Sequence, residues 1–266
     1  MTPHSRKPIV VKIGGSTLGI QKTILEDLVT LQKDGIPLVV IHGGGQTISE
    51  WQKKLGITTQ FVNGLRVTDI ATLEVVISIL AGLVNKQLAG VIKALGGKAI
   101  GLSGVDDGLI EAKIENKSLG YTGEVANINT EPLMMLLKQS YIPLIAPVSL
   151  RTDYQETKGN DIALNVNGDT ATAAIGAAIN AERVIFLTDV TGVCDESGQP
   201  IPCITSKEAS SMITSGVISG GMIPKITACM RAVSNNTTIA RIIDGRIPHS
   251  LLSEIKMGNS GTTVFP

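Results

Sequence analysis

Short apolar, β-branched-rich runs punctuate the chain at Ile9–Ile13, Ile36–Ile41, Lys98–Leu102, Ile142–Val148 and Val184–Leu187, each bounded by Gly, Pro or polar residues. Runs of this length with little alternation are what parallel strands covered on both faces look like. Between them the period changes. Ile24, Leu28 and Leu31 mark one helix face, and Leu73, Val76, Ile77, Leu80, Leu83, Val84, Leu88, Val91, Ile92 and Leu95 mark a longer helix that Gly96 and Gly97 should stop. Further on, Thr130 is expected to cap a helix opening at Glu131-Pro132. Asn167–Asn180 reads as an Ala-rich helix, Met222–Val233 as a helix with Pro224 in its first turn, Thr238–Ile243 as a strand and Pro248–Met257 as a helix. Alternation of strand and helix predicts an α/β fold, a three-layer αβα sandwich around a mainly parallel open sheet. With no low-complexity linker and no repeat of fixed period, residues 1–266 are expected to form a single domain. Its two lobes, about 1–180 and about 181–266, should share one sheet.

Composition narrows the classes of function. Aromatic residues are 3% of the chain against 43% hydrophobic, so Val, Ile, Leu and Ala must build the core. Basic and acidic residues balance at 23 each, which argues against a nucleic-acid partner and against a polybasic membrane patch. Cys194, Cys203 and Cys229 are odd in number and lack paired metal-ligand spacing, as expected of reduced thiols in a cytosolic protein. The apolar run before Lys12 is too short for a signal-peptide core. No uninterrupted apolar stretch reaches the roughly 18 residues of a spanning helix, so a soluble, cytoplasmic protein is expected.

Several residues break the pattern in ways that suggest chemistry. Lys12 interrupts Ile9-Val10-Val11-Lys12-Ile13, where a buried ammonium needs an anion, although a lysine snorkelling from an edge strand would read the same way. Gly14 and Gly15 follow it, and a strand ending in glycines lets backbone amides approach an anion. The second strand ends likewise in His42-Gly43-Gly44-Gly45, with Gln46 opening a helix, so two glycine loops stand at strand carboxyl ends, where open α/β sheets bind ligands. The dinucleotide fingerprint fails because Ile48 stands where its third Gly or Ala belongs. Gly97-Lys98-Ala99 fails the Walker pattern, and Val105 spoils a hydrolase elbow at Gly101-Leu102-Ser103-Gly104. His42 and His249 have no metalloprotease spacing and read as structural histidines.

Arg66, just before the long helix, could fork onto a substrate carboxylate or simply lie at the surface. Asn165-Val166-Asn167-Gly168-Asp169 precedes the Ala-rich helix, serving as a cluster at a positive helix end or as a cap. Lys225 opens a helix where the dipole disfavours a cation, which a nearby anion would explain.

Together these segments resemble the acetylglutamate kinases of the amino-acid kinase family over about Ile9 to Val264. The matching pieces are Lys12-Ile13-Gly14-Gly15, His42-Gly43-Gly44-Gly45, Asn63-Gly64-Leu65-Arg66-Val67-Thr68, Gly101-Leu102-Ser103-Gly104, Asn165-Val166-Asn167-Gly168-Asp169, Leu187-Thr188-Asp189-Val190-Thr191-Gly192-Val193 and Gly221-Met222-Ile223-Pro224-Lys225. The resemblance implies an N-terminal lobe for the acyl amino acid and a C-terminal lobe for ATP. It implies that Gly44, Gly45, Arg66 and Asn165 bind N-acetyl-L-glutamate. Lys12 and Lys225 would be catalytic, with Asp169 organising them, and Gly14, Gly15, Asp189 and Gly192 would join the two lysines around ATP. Substrates would be N-acetyl-L-glutamate and MgATP, with Mg²⁺ arriving on the nucleotide and no metal site of the protein's own.

The residue types suit that reaction. A glutamate side chain with a pKa of about 4.3 is already ionised, so positive charge rather than a general base is required. An acetylaminoadipate kinase, whose substrate is one methylene longer, is the nearest rival, and a non-catalytic nucleotide or arginine sensor is a rival of another class. The long helix, apolar on more than one face, suggests a homodimer. Arginine-inhibited family members carry an added N-terminal helix. The eleven residues before Lys12 include Pro3 and Pro8, so insensitivity to arginine is expected, although Asp244–Ile255 resembles the arginine-sensitive branch.

Overall fold

The computed structural model describes residues 6–15, 22–62, 64–152, 162–234, 237, 239–258 and 260–266. In chain order the first half forms β1 (Ile9–Ile13), α1 (Lys22–Lys33), β2 (Leu38–His42), α2 (Gly45–Lys54), β3 (Phe61–Val62), β4 (Leu65–Arg66), α3 (Ile70–Val76), α4 (Asn85–Ala94), β5 (Ala99–Gly104), β6 (Ile110–Ile114) and β7 (Thr122–Ile128). It continues through α5 (Glu131–Lys138), β8 (Ile142–Arg151), β9 (Ala163–Val166), α6 (Gly168–Ala178), β10 (Arg183–Thr188), β11 (Cys203–Thr205), α7 (Ser206–Thr214), α8 (Met222–Ser234), β12 (Ile239–Asp244), α9 (Ser250–Met257) and β13 (Thr262–Phe265). Eleven strands among the described residues make one sheet, in the order β11-β13-β12-β10-β1-β2-β8-β6-β7-β9 with β5 also on β8. The central pairs are parallel, and only β12–β13, β6–β7 and β8–β9 run antiparallel.

Alternation along the central strands divides the core in two. Val10, Val39, Ile41, Val184 and Phe186 face α6 and α8, where Ile175, Ile226 and Cys229 are buried. Ile9, Val11, Ile13, Leu38, Val40 and Leu187 face Leu28 of α1, Leu88 and Ile92 of α4 and Leu251 of α9. Burial on both faces is why these strands read as unbroken apolar runs, and it gives the three layers.

The long helix runs from Ile70 to Ala94, with a π-helical stretch at Ile77–Val84 joining α3 to α4. Asp69 caps it by accepting the Thr72 amide at 2.8 Å. It closes on Gly96 at φ 82°, where the Gly97 amide reaches the Ile92 carbonyl and the Gly96 amide the Lys93 carbonyl, the left-handed stop expected at these glycines. By length and composition this helix could cross a membrane. Its Leu73, Val76, Leu80, Leu88 and Ile92 are instead buried in the protein.

Some expectations move. The Ile36–Ile41 run becomes a strand only from Leu38, because the Ile36 amide closes a turn on the Leu31 carbonyl. Thr130 makes no side-chain cap; Asn129 Oδ1 accepts the Glu131 amide at 3.1 Å instead. The last helix begins at Ser250, not Pro248. Residues 1–5, in the segment from which arginine insensitivity was expected, and Asn63 and Thr238 lie outside the described residues.

Candidate active site

β1, β2 and β9 all deliver their carboxyl ends to one cavity of about 380 Å³. Lys12, Gly15, Gly43, Gly44, Gly45, Arg66, Asn165, Gly168 and Asp169 line it. Glycine is required by close approach. A Cβ on Gly43 would lie 3.1 Å from the Gly15 nitrogen, and one on Gly44 would lie 2.5 Å from Leu80 Cδ2. Backbone therefore packs on backbone between the two loops, leaving amides rather than side chains at the rim.

Lys12 shares the sheet face of Val10 and is only 9% exposed. Its Nζ lies 2.7 Å from Asp169 Oδ1, off the angle of a good hydrogen bond, while Lys225 Nζ lies 3.6 Å from Asp169 Oδ2. Burial opposes charge on Asp169, and the two ammonium groups outweigh it, so the carboxyl sits below the ordinary aspartate range. The anion suspected beside Lys12 and Lys225 is thus, in the first instance, a side chain. Asn167 caps α6 by accepting the Asp169 and Thr170 amides at 2.8 and 3.2 Å, which anchors Asp169 at the positive helix end.

Arg66 is buried rather than at the surface. Nη1 donates to Gln52 Oε1, and Nη2 donates to the Gly45 carbonyl and to Ser49 Oγ, both at 2.9 Å. The guanidinium lies 4.7 Å from the Phe61 ring centroid. Burial lowers its pKa from the usual arginine value. Asn165 Nδ2 donates to Thr68 Oγ1 at 3.1 Å, and Thr68 and Thr122 both donate to the Arg66 carbonyl. Gln52, Ser49, Thr68 and Thr122 carry this framework and were not singled out from sequence. Ser49 and Gln52, three apart on α2, were the available signal.

A second cavity of about 440 Å³ lies beyond β10, lined by Asp189, Val190, Thr191, Gly192, Val193, Ser219, Met222 and Arg246. Gly192 has φ 147°, and a Cβ there would lie 2.6 Å from Thr262 Oγ1. Arg246 was not anticipated; its Nε donates to Asp244 Oδ1 at 2.9 Å and its Nη2 to Asp244 Oδ2 at 2.7 Å. Hydrogen bonding to Arg246, against some burial, holds the Asp244 carboxyl below its ordinary range.

Lys12, Gly15, Gly44, Gly45, Arg66, Asn165 and Asp169 meet in the first cavity, and Asp189 and Gly192 meet in the second. Lys225 joins the first through Asp169, while Met222, at the start of its helix, lines the second. Gly14 lines neither cavity, and its amide donates to the Leu187 carbonyl at 3.2 Å, so that N–H is not free for a phosphate. Ser103 bonds to Asp106, in keeping with the rejected hydrolase elbow.

A parallel sheet with glycine loops over its strand ends and lysines beside them defines a phosphotransferase of the amino acid kinase family, and the chain belongs to that family, whose model matches residues 7–244. Within it, the chain is 45% identical over 264 residues to the acetylglutamate kinase of Dehalococcoides mccartyi strain CBDB1, covering 99% of this chain and 96% of that one. It is 43% identical over 259 residues to the acetylglutamate kinase of Caldanaerobacter subterraneus, covering 94% and 84%. Among solved structures it is similar to smu.665 from Streptococcus mutans UA159, with a TM-score of 0.82 at 28% identity over 97% of this chain and 98% of that one.

Proposed function

We propose that this protein catalyses the acetylglutamate kinase reaction of arginine biosynthesis, transferring the γ-phosphoryl group of ATP to the side-chain carboxylate of N-acetyl-L-glutamate. The observation that carries this reading is the Lys12–Asp169–Lys225 cluster, in which Lys12 and Asp169 line the cavity bearing Arg66 and Asn165 and Lys225 stands on the helix whose Met222 lines the second cavity, bearing Asp189 and Gly192. The reacting carboxylate attacks the γ-phosphorus, the new oxygen–phosphorus bond forms as the bond to ADP breaks, and no proton moves. What opposes the step is repulsion between a carboxylate and a triphosphate. Lys12 and Lys225 counter it, in a site where burial strengthens their field, and Asp169 sets where the two ammonium groups stand.

Arg66 meets the α-carboxylate of the substrate with the donors it does not spend on Gln52, Ser49 and Gly45, while Asn165 and the Gly44 and Gly45 amides receive the rest of the acyl amino acid. Asp189 and Gly192 flank the nucleotide. Mg²⁺ would arrive on the ATP phosphates and supply further charge neutralisation there. The same reading includes a cytoplasmic location and a homodimer. The dimer is supported by Leu83 and Val91, which stand exposed on the long helix despite their apolar character.

A coupled ADP-release assay tests the reading with N-acetyl-L-glutamate, N-acetyl-aminoadipate, free glutamate and carbamate as acceptors. N-acetyl-L-glutamate should give the highest kcat/KM. A preference for the longer acceptor would move the protein to the lysine-synthesis class, and turnover of none would sink the reading. Light scattering at micromolar concentration checks the dimer.

A further inference from the structure

One buried polar pair touches the glycine loop without lining the cavity. His42 has no solvent exposure, and neither does Asn85. Asn85 Nδ2 lies 3.1 Å from His42 Nε2, 2.9 Å from the Leu144 carbonyl and 3.2 Å from the Leu102 carbonyl. Asn85 Oδ1 meets Lys86 Nζ at 3.1 Å. Two carbonyls on one side of the amide and an ammonium on the other fix which end is nitrogen.

The consequence is a defined tautomer. The Gly43 carbonyl can only accept, so the ring proton sits on His42 Nδ1, leaving the Nε2 lone pair to share the two Asn85 amide hydrogens with the two carbonyls. Nδ1 stands 2.9 Å from the Gly43 carbonyl, to which it donates. On its other side Gly43 donates its own amide to the Ile13 carbonyl at 2.9 Å. A peptide unit is planar, so fixing the Gly43 carbonyl also fixes the Gly44 N–H, which points the opposite way. Gly44 lines the cavity. Its nitrogen and that of Gly45 lie 3.3 and 3.2 Å from where a Gly15 Cβ would stand, and among the described residues neither donates to a backbone acceptor.

The π-helical stretch sets this up from one element. It ends at Val84, which places Asn85 under the strand ends, while its Leu80 presses against the α-carbon side of Gly44. A π turn costs stability relative to an α turn and persists where local geometry requires it.

We propose that His42, locked by Asn85 in its Nδ1–H tautomer, is a positioning residue that orients the Gly43–Gly44 peptide so that the Gly44 N–H faces the reacting carboxylate and phosphoryl group. This rests on the reaction proposed above. His42 touches no substrate and moves no proton; it acts through the direction of one amide.

The test has two arms. Long-range ¹⁵N–¹H NMR of the ligand-free wild-type protein reads the tautomer directly, with Nδ1–H expected. An Nε2–H or doubly protonated ring at neutral pH overturns the proposal, whatever the enzyme's substrate. In the second arm, His42→Leu removes the donor, whereas His42→Asn puts an amide nitrogen where Nδ1 stands. His42→Leu should lower kcat about 10-fold with KM for ATP unchanged, and His42→Asn should recover most of that loss. Equal kcat in the two variants, or a loss confined to KM for ATP, overturns it. If His42→Leu does not fold, His42→Asn alone decides, since a kcat as low as about a hundredth of wild type in a folded His42→Asn protein contradicts a role that its amide can fill. Failure of wild type to phosphorylate N-acetyl-L-glutamate would remove the reaction while leaving the tautomer to be read.

Discussion

The two cavities have similar volumes, about 380 and 440 Å³, and are built in opposite ways. The first is walled by strand ends and by charged side chains whose partners are already inside the protein: Lys12 on Asp169, which also holds Lys225, and Arg66 on Gln52, Ser49 and Gly45. The second is walled by a loop from Asp189 to Asp195, which follows β10 and packs on Thr262 of β13, and by Val217 to Met222. Its one arginine, Arg246, is half exposed and tethered to Asp244. The difference teaches where cost is incurred. In the first cavity charges are desolvated and oriented during folding, so little reorganisation is left for the reaction. In the second, solvent can replace much of what a missing side chain supplied.

The largest effect should therefore come from the lysines. Lys12→Ala and Lys225→Ala should each lower kcat by about 100-fold or more, with smaller changes in KM for N-acetyl-L-glutamate. Lys12→Ala should be the worse of the two, since it removes the closer and more buried partner of Asp169. Steady-state kinetics at saturating ATP measure this. Near-normal kcat in either variant would erase the contrast between the cavities.

Arg66→Lys comes next. A point ammonium cannot fork between Gln52, Ser49 and the Gly45 carbonyl while still meeting a carboxylate, so KM for N-acetyl-L-glutamate should rise about 10-fold. KM for ATP should stay within about twofold. A rise in the ATP constant alone would put Arg66 in the wrong cavity.

This division also governs what could be read from the chain. The buried parallel strands were legible because being covered on both faces leaves a continuous apolar run; β1 has the predicted ends, Ile9 and Ile13. The β6–β7 pair was not. Ile110-Glu111-Ala112-Lys113-Ile114 alternates with only one face covered, and five alternating residues are too few to stand out. The two-residue strands of the β3–β4 hairpin carry no periodicity at all. At the site, Lys12 was legible as a charge in an apolar strand, and Asp169 as an acid at a helix start. Gln52 was not, because a glutamine on a polar-looking helix gives no sign that the fold will bury it beneath Arg66. Arg246 was hidden for a related reason. Asp244 and Arg246 sit two apart at a strand end, which reads as surface charge, and only the fold brings the loop from Asp189 to Asp195 against them.

Arg246→Ala probes the softer cavity. Asp244 would lose its partner, and the second cavity, proposed above to take the nucleotide, would lose one cation that solvent already reaches, so KM for ATP should rise only about threefold. KM for N-acetyl-L-glutamate should not change. A loss of kcat as large as that of Lys12→Ala would mean that the second cavity is as preorganised as the first.

The smallest effect is expected at His249, far from both cavities in role and open to solvent. Its Nδ1 meets Asp27 Oδ1 at 2.6 Å, and Asp27 Oδ2 also accepts the Leu252 amide at 3.1 Å, so the pair ties α9 to α1. The hydrogen bond to Asp27, followed by its charge, raises the imidazole pKa above the ordinary histidine value, with Glu26 adding to the effect. A base whose pKa is higher in the folded state binds more protons folded than unfolded, so stability falls as pH rises through that range. The contribution is complete below the unfolded value of about 6.5 and disappears once the pH exceeds the folded value. Solvent exposure keeps it small. His249→Gln should lower the midpoint of thermal unfolding by more at about pH 5.5 than at about pH 9, since raising the pH can only remove charge from the wild-type ring. Thermal unfolding of the two proteins at both pH values measures this, and a difference that is equal at the two, or larger at the alkaline one, would show that His249 does not hold Asp27 as a charged partner.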